Sequence, residues 1–219
     1  MAAHNALRQR VTWFPARPGR PECPVCRRIE HLVTNCLTKL TARLVEQPDE
    51  RQSFAAEPEL CGPHAYQARE YAGNAEIALI YELLIRAYRS QIASRQSAGI
   101  PTLYQHPCVA CNTRDEAEKQ ATSGVADLLC VPDLREQFRQ THGLCLPHLD
   151  LVCEVASEEV RQFLRMDECE RLDRLAEDLA RYVRKRYPVP TQEETTDTER
   201  TAAGRAVLKM YGHLGAMKR

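Results

Sequence analysis

The chain has 219 residues, with 30 lysines and arginines against 30 aspartates and glutamates, a formal net charge of +0. That length suffices for one large or two small domains with their own cores, and the balanced charge provides no general attraction to nucleic acid or to an anionic membrane. Glycine is scarce at 9 and aromatics make up 6%; with Ala, Leu, Glu and Arg abundant, this mixture disfavours strands and predicts an all-α fold.

Residues 1–21 carry Arg8, Arg10, Arg17 and Arg20 around Trp13-Phe14, with no acid before Glu22. They read as a flexible basic leader, with an arm for nucleic acid or an acidic partner as the alternative. They contain no apolar core of the signal-peptide kind. The longest apolar stretch, 77–85, is interrupted by Glu82 and falls far short of the roughly 20 residues a spanning helix needs. A cytoplasmic protein without a membrane partner is expected, and its ten cysteines then point to metal ligation rather than a disulfide framework.

A first module is expected over residues 22–96. It opens on Cys23-Pro24-Val25-Cys26, after which Ile29, Leu32, Val33, Cys36, Leu37, Leu40 and Leu44 recur at three- and four-residue steps, the stripe of an amphipathic helix. Pro48 ends that helix and a short helical turn follows around 51–55. Cys61-Gly62-Pro63-His64 comes next, with its proline in the first turn of a long helix predicted over about 63–94. Residues 97–107 form a linker.

A second module, residues 108–187, repeats the plan. Cys108-Val109-Ala110-Cys111 is followed by a weaker stripe through Ala117, Ala121, Val125, Leu128 and Leu129, by Pro132, and by Cys145-Leu146-Pro147-His148. A helix is predicted from about 147 to 186 with a break at Ser157. Pro48-Asp49, Arg51, Phe54, Leu60-Cys61 and Pro63-His64 match Pro132-Asp133, Arg135, Phe138, Leu144-Cys145 and Pro147-His148 at one offset of 84. Duplication accounts for this better than coincidence. A polar connector (188–199) and a C-terminal helix (200–219) complete the chain, and the long helices are expected to pack on each other, since each stripe needs a partner.

The ligand chemistry is specific. A C-x-x-C turn brings two thiolates to one point, and a cysteine and histidine from a helix N-terminus complete a tetrahedron that suits zinc. Cys23, Cys26, Cys61, His64, Cys108, Cys111, Cys145 and His148 are therefore the expected ligands of two zinc ions, one per module. The spacing leaves open whether each centre closes within its own copy or by ligands exchanged between copies. Four protein ligands fill the shell and leave no position for an activated water, so the sites are structural rather than hydrolytic. Dithiol redox chemistry or an iron–sulfur cluster are the competing readings; the recurrent histidine opposes both. Cys36, Cys130, Cys153 and Cys169 lack a repeated spacing and read as small core residues. His4, His31, His106, His142 and His213 read as surface or turn residues, with His106 and His142 close enough to a ligand cysteine to support it.

In these motifs the chain resembles a bacterial domain-of-unknown-function family. Its members carry C-P-x-C near the N-terminus, a later C-x-x-H and a second similar set, and end in a basic-aromatic stretch and a short glycine-closed helix. The matching residues here are the eight ligands above, with 182–187 and 205–212 at the end; where the family usually has a tryptophan before the last helix, this chain has Ala202-Ala203-Gly204. The resemblance implies the fold and the metal without an activity. No P-loop, dinucleotide fingerprint, G-x-S-x-G or H-E-x-x-H is present, so no enzyme is expected. The leading expectation is a zinc-stabilised scaffold that binds another protein. A redox-responsive zinc switch and a nucleic-acid-binding regulator using the basic arm are the alternatives, the last disfavoured by the neutral charge.

Overall fold

The structure, a computed structural model, describes residues 23–94, 107–187 and 192–213; the basic leader and most of the linker lie outside them. Among the described residues there are nine helices and no strand: α1 (Pro24–Glu46), α2 (Pro48–Ala56), α3 (Gly62–Tyr71), α4 (Asn74–Ser94), α5 (Val109–Leu128), α6 (Pro132–Arg139), α7 (Leu146–Val155), α8 (Glu158–Arg186) and α9 (Asp197–Tyr211). None is long and apolar enough to cross a membrane.

Local chemistry sets the boundaries. Pro48 and Pro132 open α2 and α6, where a missing N–H costs nothing. Arg51 donates to the carbonyls of Leu44 and Val45 at 2.8 and 3.0 Å, and Arg135 donates to that of Leu129 at 2.6 Å. Each guanidinium thus satisfies carbonyls that the preceding helix leaves open at its C-terminal end. Where one helix was expected over 63–94 there are two, because Ala72 turns extended and Gly73 N–H donates to the Glu76 carboxylate at 2.7 Å, starting the next helix. The expected break at Ser157 is present: its hydroxyl accepts from Val160 N–H and caps α8. In α9, Thr196 and Glu199 form a reciprocal capping box.

The chain divides into two compact units, one holding the described residues up to Ile29 together with those from Glu118 onward, the other Glu30–Ala117. In the second of these, Val33, Leu37, Leu40, Leu44, Phe54 and Leu60 are buried, and α2 packs on α4. In the first, Val125, Leu129, Phe138, Leu144, Val152, Val160 and Leu164 are buried, α7 packs on α8, and α9 lies along α8 and reaches α7. Each fully buried aliphatic or Phe side chain contributes about 1.5–3 kcal/mol. This division does not follow the modules read at 22–96 and 108–187; its boundaries fall inside α1 and α5.

Candidate metal centres

Each ligand pair sits at the start of a helix. Cys23 and Cys26 flank the first turn of α1, and Cys108 and Cys111 that of α5; Cys61 and Cys145 are the N-cap residues of α3 and α7, with His64 and His148 one turn on. Four free N–H groups and the positive end of the helix dipole favour thiolates at such positions.

The eight residues gather into two groups, and the grouping is the exchanged one. Cys23 and Cys26 join Cys145 and His148; Cys61 and His64 join Cys108 and Cys111. Each group lies wholly within one compact unit. The question the spacing leaves open is thereby answered: each centre takes its C-x-x-C from one copy and its C-x-x-H from the other.

The geometry suits a tetrahedral ion. Sulfurs about 2.3 Å from a tetrahedral centre stand about 3.8 Å apart, and a sulfur and an imidazole nitrogen about 3.6 Å. In the first group Cys26 and Cys145 sulfurs are 3.7 Å apart, and His148 Nδ1 lies 3.6, 3.3 and 3.1 Å from Cys23, Cys26 and Cys145. In the second, Cys61 and Cys111 sulfurs are 3.8 Å apart, and His64 Nδ1 lies 3.2, 3.3 and 3.4 Å from Cys61, Cys108 and Cys111. No pair approaches the roughly 2.05 Å of a disulfide, and all these cysteines are free. Both groups can hold a metal ion.

Crowding of the ligands reshapes their acid–base chemistry. The bonds to Cys145 and Cys23, then burial, push the Cys26 thiol far up. Burial opposes ionisation of Cys23, but hydrogen bonds to Cys145, Cys26 and His148 outweigh it and hold that thiol well below its usual value. Burial likewise pulls His148 down, yet its bonds to Cys145 and Cys23 prevail and raise it to about 10. In the second group burial and the charge of Cys108 push Cys111 up to about 12, while the bond to His64 overcomes burial and brings Cys108 to about 6. One thiolate and one retained proton per neighbouring pair is what like charges at this spacing require. A divalent cation would take the place of those protons.

The surroundings of the two centres differ. In the first, all four ligands are buried, Cys23 at 9% exposure being the least so. His148 Nε2 faces Glu118 Oε1 at 3.3 Å, the carboxylate–histidine arrangement that fixes a ligating ring. The backbone N–H of His213 donates to Cys26 Sγ at 3.4 Å. The loop leading to Cys145 is held by buried charges. Glu168 Oε1 accepts from Leu144 N–H at 3.0 Å, and Lys209 Nζ donates to Glu168 Oε2 at 2.7 Å and to the carbonyls of Leu144 and His142 at 2.7 and 3.2 Å. Arg171 donates to the carbonyls of Phe138, Arg139 and Thr141 and pairs with Asp167 at 2.7 Å. In the second centre Cys61 and Cys111 are half-buried, and Val109 N–H donates to the Glu59 carbonyl at 3.0 Å, tying the two ligand segments together.

Glu118, Glu168, Lys209 and the His213 backbone carry no signal in the sequence that singles them out. Among the other cysteines, Cys36 and Cys153 are half-buried, and the Cys36 sulfur accepts from Thr113 at 3.4 Å. Cys130 and Cys169 are exposed, so the core reading of these two is corrected: Cys130 lies in the turn after α5 and Cys169 on the outer face of α8. The His142 carbonyl accepts from Lys209 Nζ at 3.2 Å, in the loop that leads to Cys145. His4 and His106 lie outside the described residues.

No family model matches the chain, and comparison with curated proteins and with solved structures finds no match.

Proposed function

We propose that the protein is a zinc-stabilised, non-enzymatic helical scaffold that engages another protein through the outer face of α4. Three thiolates and an imidazole per centre favour zinc among available divalent ions, and a full set of four protein ligands leaves no site for a reacting water. The observation that carries the partner reading is α4 itself. It contains Ile77, Leu79, Ile80, Leu83, Leu84, Ile85 and Ile92, yet only Ile80 is buried. Ile85 and Ile92 are 66% and 52% exposed, and on the neighbouring α3 Tyr66 is 73% exposed. Tyr66, Arg69, Ile77 and Tyr81 line a groove of about 350 Å³. Scattered apolar side chains are ordinary on a surface; a run of them along one helix and beside a groove marks an interaction face. Ala78, Tyr81, Ile85, Tyr88 and Ile92 follow a three–four spacing, which an amphipathic partner helix would match.

A photo-crosslinking residue placed at Ile85 in the producing cells tests this. A single predominant adduct to an amphipathic helical segment of another protein, absent when the same residue replaces the exposed Arg165 on α8, is expected. Adduct yields equal at the two positions overturn the reading, and a self-adduct reassigns the face to a second copy.

A second reading has its own observation. Cys61 and Cys111 are half-buried while the other centre is enclosed, so oxidants reach the second centre first and a thiol-based zinc switch would act there. Loss of metal from that centre alone at low peroxide, restored by reductant with zinc, is the outcome this reading requires.

A further inference from the structure

The two centres carry the same ligand set, yet one is enclosed and the other half-open. All four ligands of the first are buried, whereas Cys61 and Cys111 of the second are half-buried. One element distinguishes their surroundings. Helix α9 follows α8, and among the described residues no helix stands between α4 and α5 as its counterpart. We infer that α9 is a latch over the enclosed centre, held by ion pairs, and that its release opens Cys23 and Cys26 to thiol reagents. This regulation presupposes the zinc centre proposed above.

The C-terminal end of α9 touches the centre itself. Gly212 ends the helix with φ of 73°, a left-handed turn, and the next N–H, that of His213, donates to Cys26 Sγ at 3.4 Å. Lys209 Nζ donates to the Leu144 carbonyl, next to Cys145, at 2.7 Å. A cavity of about 260 Å³ is lined by Cys23 and Cys145 and also by Arg205, Leu208 and Lys209 of α9. Withdrawing α9 removes that wall. It also removes an N–H from the Cys26 sulfur, the kind of outer contact that stabilises a metal ligand.

The hold of α9 is polar. Its buried residues are Glu199 and Ala202, while Val207, Met210 and Tyr211 are 59%, 49% and 67% exposed. The pairs Lys185–Glu199, Arg205–Asp178 and Lys209–Glu168 are spread along its length. An element with few buried apolar contacts opens before the core does. Glu199 lies in the first turn of α9 and Lys209 in the last, about 15 Å apart along the axis. A substitution at Glu199 therefore reaches the centre only if the helix moves as one body.

The test uses the full zinc-loaded chain and iodoacetamide, whose attack by a thiolate forms an S–C bond and releases iodide. Mass spectrometry reads the initial alkylation at each cysteine and amide exchange across α8 and α9. Glu199→Gln is expected to lower the protection of 197–211 and to speed alkylation of Cys23 and Cys26 by the same factor. That factor is about tenfold for one lost charge-assisted contact, with α8 protection and the rates at Cys61 and Cys111 unchanged. Adding Arg205→Gln is expected to extend both effects together. Lost α9 protection with Cys23 and Cys26 no faster, or equal acceleration at Cys61 and Cys111, overturns the latch. Unchanged α9 protection in the double variant overturns its ionic hold. The zinc count before alkylation tests the metal separately: a count below two per chain fails the zinc reading and leaves the Cys26 comparison to decide the latch.

Discussion

The Glu118 carboxylate stands 3.3 Å from Nε2 of His148, on the opposite side of the ring from the three sulfurs that face Nδ1. That contact fixes which nitrogen is presented to the metal and makes it a better donor. Glu118→Gln should therefore weaken the enclosed centre by about 10- to 100-fold and leave the Cys61/His64/Cys108/Cys111 centre unchanged. Chelator competition resolving two classes of zinc measures both. A uniform effect on the two classes would show that Glu118 acts on the fold as a whole.

The exchanged ligation gives a sharper stoichiometric test. Cys26→Ala and Cys145→Ala disable one and the same group, so each single variant, and the pair combined, should lose one zinc per chain. Cys26→Ala combined with Cys61→Ala should lose both. Native mass spectrometry reads the counts directly. If Cys26 and Cys61 belong to one centre instead, their double variant retains an ion and the grouping described here fails.

What the sequence discloses and what it conceals divides along physical lines. The eight ligands are legible because a thiolate tetrahedron demands C-x-x-C and C-x-x-H, and few other demands produce that spacing. Their partnership is not legible, because Cys61/His64 and Cys145/His148 are chemically equivalent, and which C-x-x-C each one joins is a tertiary consequence. The apolar stripes of α1 and α5 could be read from period alone, and Ile29, Val33, Leu37, Ala121 and Val125 are buried as the period requires. Glu118 looks like any solvated acid beside Asp115 and Glu116, and Lys209 like any surface lysine of a short helix. Only the fold turns them toward a metal ligand and a buried carboxylate. Cys130 and Cys169 show the converse: the common burial of cysteine is a tendency of the residue type, and position on a turn or an outer helix face overrides it.

Lys209 and Glu168 form an ion pair at 2.7 Å with side chains 10% and 2% exposed. Removing one member leaves a buried charge without its counter-ion, a change that costs about 3–5 kcal/mol in enclosed pairs. Lys209→Met is thus expected to lower unfolding stability by about that amount. It should also loosen the loop before Cys145, so that zinc held with His148 dissociates faster. Denaturant melts at fixed zinc check the first effect and zinc release kinetics the second. Removing both charges, in Lys209→Met with Glu168→Leu, should recover part of the stability, since an apolar pair of similar volume carries no such penalty; no recovery would count against a charge origin.

Gly143 precedes the same loop with φ of 72°. A Cβ there would run into the Glu168 carboxylate and the Arg171 side chain. Both the left-handed backbone and the missing space require glycine. Gly143→Ala should cost about 1–3 kcal/mol from backbone strain alone and displace Glu168 from Leu144 N–H. An alanine variant as stable as the parent, with unchanged protection of the Leu144 amide in hydrogen exchange, would contradict this account of the loop.

The attachment of α9 should depend on pH. Its buried residues are Glu199 and Ala202, so little apolar surface holds it, and it relies on Lys185–Glu199, Arg205–Asp178 and Lys209–Glu168 at 2.9, 2.8 and 2.7 Å. The bond from Lys185, then that from Thr196 N–H, holds the Glu199 carboxyl below the usual carboxylate range. A carboxyl depressed on folding binds fewer protons folded than unfolded, so its stabilisation is complete above the unfolded value and is lost as pH falls through the folded one. Glu168 has the opposite sign: burial pushes its carboxyl up against the pull of Lys209, so its ionisation does not supply the loss on acidification. The protection factors of amides across 197–211 should accordingly fall as pH drops below about 4, while α8 keeps its protection. Glu199→Gln retains the capping hydrogen bond but not the charge, and it should flatten that acid dependence. A dependence of the same steepness in Glu199→Gln would assign the pH response of α9 to another group.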